Sequence, residues 1–139
     1  MIVIGIDPGT ATTGYGVIEE NDNGDFRTIA YGVISTAVDK PLEERLKAIY
    51  DQITSLILLH KPQSGAVEKL FFKQNVTNAI SVGQARGVVL LAMVTNGVSV
   101  HEYSPAEVKS AVSGYGNAEK SQIQQMVKAI LSLEDIPRP

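Results

Sequence analysis

The chain of 139 residues predicts an α/β domain of three layers, a mixed sheet flanked by helices, and three observations carry that prediction. Three β-rich runs open the chain, with a hairpin signal between the second and third. From residue 41 the apolar spacing lengthens to three and four. Two further short apolar strands then alternate with helical segments, so the later strands are joined by helical crossovers and run parallel. The length suits one compact core and is too short for two. With 44% hydrophobic and 19% charged residues the chain is not expected to be disordered. No apolar run reaches the ~18 residues of a membrane-spanning helix, so a soluble protein with no membrane partner is expected. Met1-Ile-Val-Ile-Gly-Ile-Asp7 lacks a basic segment before its apolar run and does not read as a signal peptide. Cysteine is absent, which rules out disulfides and thiolate metal sites and fits a cytoplasmic location.

Met1–Ile6 is nearly continuous in Ile and Val, the composition of a strand buried on both faces, and Asp7-Pro8-Gly9 ends it with a carboxylate at its tip. Gly14–Glu20 and Phe26–Ser35 are strands separated by Asn21-Asp22-Asn23-Gly24-Asp25, a hairpin turn cluster. The three runs predict an antiparallel meander. Leu42, Leu46, Ile49, Ile53 and Leu56–Ile57 then recur on one helical face, with Glu43 and Glu44 in the first turn and His60-Lys61-Pro62 as the stop. Gly65–Leu70 is a short strand bearing Glu68. A long helix follows over 75–96, ended by Gly97, and Val98–Tyr103 is the next strand. Ser104-Pro105-Ala106-Glu107 is a capping box that opens a helix to about Val112. Gly114-Tyr115-Gly116 breaks it. Ala118–Leu131 forms a last helix with Ile123, Met126, Val127, Ile130 and Leu131 on one face and Lys120, Gln124 and Lys128 on the other. No linker or internal repeat divides the chain.

The net charge of −3 argues against binding nucleic acid by bulk attraction, but the distribution is uneven. Residues 1–60 carry four basic against nine acidic side chains, and residues 61–139 carry eight against six, so the second half can present a basic face. Asp7 and Glu68 stand out because each interrupts an apolar strand, where a charge needs a partner or a metal. The plain alternative is that Asp7 caps its turn and Glu68 meets Lys69 or Lys73. On adjacent strands the two carboxylates repel unless one is protonated or a divalent cation lies between them, and an all-oxygen donor set points to magnesium or manganese. His60 and His101 stand alone, without metal-ligand spacing. Lys109 and Lys120 bracket the glycine break and are candidates for contacting a phosphate, against the alternative of solvated surface lysines. Phe71-Phe72 would ordinarily be core, although a loop after a catalytic strand can set a ring against a base.

Taken in order, Ile4-Gly-Ile-Asp7-Pro-Gly9, Thr13-Gly-Tyr-Gly-Val17, Val67-Glu68-Lys69-Leu70-Phe71-Phe72, Val82-Gly-Gln-Ala-Arg-Gly87 and Ala118-Glu-Lys120-Ser-Gln122 closely resemble RuvC, the bacterial Holliday-junction resolvase family, from the first residue to the last. The resemblance implies an RNase H-like fold with a mixed five-stranded sheet, and a homodimer that resolves four-way DNA junctions by symmetric paired nicks in recombination and repair. It implies Mg²⁺, with Mn²⁺ as a substitute and two ions per subunit. Asp7 and Glu68 match the metal-binding catalytic acids, Lys109 and Lys120 functional basic positions, and Phe71 an aromatic that engages junction bases. Lys73 and Arg86 join Phe71, Lys109 and Lys120 as expected DNA contacts. The RuvA–RuvB branch-migration complex is the further partner that the family implies.

The family continues beyond the position of Pro139 into a helix with further aspartates, so 1–139 is expected to be a single nuclease domain short of its C-terminal acids. Glu134 and Asp135 precede that helix and are poor substitutes. Junction binding with impaired cutting is therefore an alternative. The Gly5-Ile-Asp-Pro-Gly-Thr10 run also resembles the phosphate-binding opening of sugar kinases and actin-like ATPases, against which the length argues. Small RuvC-like nucleases that process RNA share Asp-Pro-Gly as well, but the Gln84-Ala-Arg-Gly87 and Ala118-Glu-Lys120 segments favour the junction enzyme.

Overall fold

The structure, a computed structural model, describes residues 1–69, 76–114 and 116–137. The elements are β1 (Ile2–Asp7), β2 (Thr12–Glu20), β3 (Phe26–Ser35), α1 (Leu42–His60), β4 (Ser64–Glu68), α2 (Val76–Thr95), β5 (Ser99–Tyr103), α3 (Pro105–Ser113) and α4 (Lys120–Leu131). One five-stranded sheet has the order β3-β2-β1-β4-β5. The first three strands pair antiparallel, and β4 pairs parallel with β1 and with β5. The meander and the parallel crossovers agree with the expectation from the sequence. No helix among the described residues is long and apolar enough to cross a membrane.

Local chemistry explains the boundaries. In the β2–β3 turn the Asn21 side-chain oxygen accepts from the backbone N–H groups of Asn23 and Asp25, each at 3.0 Å, so the side chain stands in for a turn hydrogen bond. Helix α1 ends at Lys61, whose left-handed backbone lets its N–H reach the Ile57 carbonyl at 2.8 Å before Pro62 forbids continuation. Helix α3 ends at Gly114, at φ 91°, where a side chain would be strained.

The core lies on one face of the sheet. Ile4, Ile6, Val17, Ile34 and Val67 meet Ile49, Ile53 and Ile57 of α1 and Ala85, Val89, Ala92 and Met93 of α2. Gly65 matters here, because a Cβ on it would strike the Met93 side chain. The expectation that the first strand is buried on both faces needs correcting. Ile4 and Ile6 are buried, but Gly5 on the other face is only half-buried, and Asp7 is exposed. Gly5, Gly14 and Ala66 are too small to build a second core layer, and they line a groove of about 300 Å³ bordered by Tyr103 and Val108. The apolar face expected of the last helix is likewise left partly open: no described residue of α4 is buried.

Candidate active site

The sheet register brings the two carboxylates together. Ile6 is paired with Val67 across parallel strands β1 and β4, so the next residues, Asp7 and Glu68, end neighbouring strands side by side. Beyond Asp7 the chain turns through Pro8 and Gly9. Thr13, fully buried, donates its hydroxyl to the Gly9 carbonyl at 2.7 Å and accepts from the Gly9 N–H at 3.3 Å, tying the turn to β2. Gly9 is required there, since a Cβ would run into the Thr12 carbonyl oxygen.

Asp7 and Glu68 lie close enough that each carboxyl shifts the titration of the other. Desolvation raises the pKa of Asp7 above its ordinary 3.8, and the hydrogen bond from Glu68 partly offsets that rise. Glu68 is raised above its ordinary 4.5 by desolvation first, then by the Asp7 charge and by the shared hydrogen bond, while the Lys109 charge opposes the rise. Of the two lysines weighed as alternative partners for Glu68, Lys69 makes no ion pair with it and Lys73 lies outside the described residues. Lys109, on α3, is the lysine whose charge reaches Glu68.

The pair opens into a cavity of about 220 Å³, whose other charged walls are Lys69 and Arg86, with Pro8, Val82 and Pro105 as apolar walls. Arg86 reaches out of α2 toward the strand ends. Its Nη2 pairs with Glu102 Oε2 on β5 at 2.8 Å, and its Nε makes a long contact with the Glu68 carbonyl at 3.4 Å. The guanidinium thereby braces the backbone that carries Glu68. Lys109 is placed by the predicted capping box: Ser104 Oγ accepts from the Glu107 N–H at 3.1 Å, and Glu107 Oε1 accepts from the Ser104 N–H at 3.0 Å. Lys120 stands exposed at the first position of α4, after a second capping box formed by Glu119 and Gln122. Phe71 and Lys73 lie outside the described residues. Glu134 and Asp135 are exposed near the end of the chain. Lys69 is the cavity residue that sequence reasoning weighed only as a partner for Glu68; its position straight after a strand-end carboxylate was the available signal.

Among the described residues no group of three or more His, Cys, Asp and Glu side chains is placed to hold a metal ion. Asp7 and Glu68 remain as two adjacent hard oxygen donors whose mutual repulsion a cation would relieve. Magnesium is commonly held by one or two carboxylates, with water and substrate phosphate completing its shell, and this donor set fits that pattern.

The family model for crossover junction endodeoxyribonuclease RuvC matches residues 3–139. A relative of that description from Heliobacterium modesticaldum is 51% identical over all 139 residues, which span 85% of its length. The Thermus thermophilus RuvC structure superposes with a TM-score of 0.91 at 37% identity, covering the whole chain and 85% of its counterpart. The same Thermus protein in complex with a Holliday junction substrate gives 0.93 at 37% identity, covering the whole chain and 84% of that chain. The mixed sheet and its flanking helices are thus the RNase H-like fold of these structures. With a family match from residue 3 to 139 and half its residues identical to a full-length relative over its whole span, the chain belongs to the crossover junction endodeoxyribonuclease RuvC family.

Proposed function

We propose that this chain is a divalent-metal-dependent endonuclease that resolves four-way DNA junctions by paired, symmetric nicks. The observation that carries the reading is the Asp7–Glu68 pair, held side by side at parallel strand ends and opening into a cavity with basic walls. Its family membership and the Thermus relative bound to a Holliday junction substrate support the substrate class.

The two carboxylates would hold the ion, Mg²⁺ or its substitute Mn²⁺, and two ions per subunit are the family expectation. A bound divalent ion would activate a water and offset charge on the scissile phosphate in an in-line displacement. The chain's own residues do the rest. Lys109 places positive charge beside Glu68, where charge develops on the phosphate, and Arg86 keeps the Glu68 backbone fixed. Lys120, Lys73 and Arg86 are proposed to contact DNA, and Phe71 to engage junction bases.

A dimer matches the symmetry of the junction, and α2 offers the surface. Ile80, Gln84, Gly87, Leu91 and Val94 are all exposed and recur at spacings of four and three, the seam of a helix pair, with Gly87 allowing close approach. Cytoplasmic action with the RuvA–RuvB complex completes the reading.

The test is nicking of a mobile four-way junction with and without Mg²⁺. Mg²⁺-dependent paired nicks that Asp7→Asn abolishes are expected. Binding of the junction with no nicking under any divalent ion would overturn the catalytic reading.

A further inference from the structure

A second cavity adjoins the carboxylate site. It measures about 540 Å³ and is walled by the Gly9–Thr12 turn, by Leu42 and Arg45 of α1, and by Ser81 and Val82 of α2. Val82 also lines the Asp7–Glu68 cavity, so the two are neighbours. Among the described residues no carboxylate lines the larger cavity, and Arg45 is the charged one.

Arg45 is held from one side. Its Nε donates to Thr36 Oγ1 at 2.9 Å, and that hydroxyl donates in turn to the Thr10 carbonyl at 2.6 Å. Among the described residues no carboxylate pairs with Arg45, and its two terminal amino groups meet no acceptor. Glu43 and Glu44, its neighbours on α1, are exposed and do not line the cavity. A guanidinium fixed through Nε with both Nη groups free is preorganised to accept two oxygens of a phosphate. One feature adds to this. Leu42, the first residue of the nineteen-residue α1, lines the same cavity, and no side chain caps this helix start, where the Pro41 carbonyl takes the N–H groups of Glu44 and Arg45.

We propose that Arg45 and the Gly9–Thr12 turn form a receptor for a backbone phosphate of the DNA strand whose scissile phosphate lies at Asp7 and Glu68. The proposal rests on the nuclease reading above and deepens it: the strand is gripped on both sides of Val82. Arg45 positions substrate and takes no part in the chemistry. The Arg45–Thr36–Thr10 chain also ties the turn after Asp7 to the end of β3.

The experiment measures four-way junction affinity against salt concentration without divalent ion, for the wild-type chain, Arg45→Gln and Arg45→Lys. Junctions carrying single neutral methylphosphonates near the crossover are measured in parallel. Arg45→Gln is expected to weaken binding roughly tenfold and to lower the log–log salt slope by about one phosphate's worth. Arg45→Lys is expected to keep most of the slope and lose part of the affinity, since a point charge does not reproduce the fork. One methylphosphonate position is expected to reproduce the loss in the wild-type chain and to cost nothing further in Arg45→Gln. This arm needs no folded variant.

An unchanged salt slope in Arg45→Gln overturns the proposal, as does the absence of any methylphosphonate whose effect vanishes in that variant. If inorganic phosphate competes with the junction in the wild-type chain at matched ionic strength, while no methylphosphonate matters, the site binds a free anion and the backbone assignment fails. A wild-type chain that binds no junction at all overturns the nuclease reading with it, whereas one that binds as well as Arg45→Gln overturns the phosphate site alone.

Discussion

Asp7 and Glu68 are carboxyl groups at the ends of adjacent parallel strands, and desolvation raises the pKa of each above its ordinary value. The pair is therefore a site of stored repulsion at neutral pH and a natural cation receptor. Function and stability are set against each other at the same two residues.

Replacing either acid with its amide is expected to lower junction cutting by about 10²-fold or more, as loss of one charge-stabilising group does elsewhere. The same substitutions are expected to raise the metal-free melting temperature by a few degrees at pH 7 to 8, because they remove the repulsion. Melting curves of Glu68→Gln beside nicking rates check both; a lower melting temperature at neutral pH would count against stored repulsion between the two acids.

The sign of the pH dependence follows from the raised values. A carboxyl that holds its proton more tightly when folded stabilises the fold at pH values below the ordinary 3.8 and 4.5, and that contribution is lost as pH rises through the raised values. The stabilisation that Mg²⁺ confers is accordingly expected to grow over the same range, as protons give way to the metal. Thermal denaturation from pH 4 to 8, with and without Mg²⁺, reads this directly.

Arg86→Ala is expected to cost about 1–3 kcal/mol, since it strips a largely buried guanidinium from Glu102 and from the Glu68 carbonyl. Arg86→Lys is expected to restore charge but only part of the stability and cutting, because an ammonium cannot serve both partners in the same plane. Denaturant midpoints together with nicking rates separate the brace from a pure DNA contact.

Ser104→Ala removes one half of the α3 capping box and is expected to destabilise the chain by about 1 kcal/mol. Lys109 lies in the second turn of that helix, so cutting is expected to fall further than the stability change requires, and Ser104→Asp is expected to recover both.

Leu91→Glu places a charge in the middle of the exposed α2 seam. The folded monomer is expected to tolerate it within about 0.5 kcal/mol, as exposed positions do. If α2 forms the proposed dimer seam, sedimentation is expected to show a monomer for this variant, and paired cutting of one junction is expected to give way to single nicks.

The sequence by itself determined the element order, because turn chemistry and apolar spacing are local: the Asn21–Asp25 turn, the Lys61-Pro62 stop and the Ser104 capping box all act within a few residues. It also singled out Asp7 and Glu68, since a carboxylate ending an apolar strand is visible without any partner. Their partners were decided only in three dimensions. That Lys109 rather than Lys69 answers Glu68, and that Arg86 spends its charge on Glu102, depend on how α2 and α3 pack against strand ends far away in the chain. The half-open second face of the sheet was hidden for the same reason. Residues Gly5, Gly14 and Ala66 look like ordinary small strand positions until the register lines them up into one groove. Helical and strand periodicity report which face of an element is apolar; what covers that face is a property of the assembled layers.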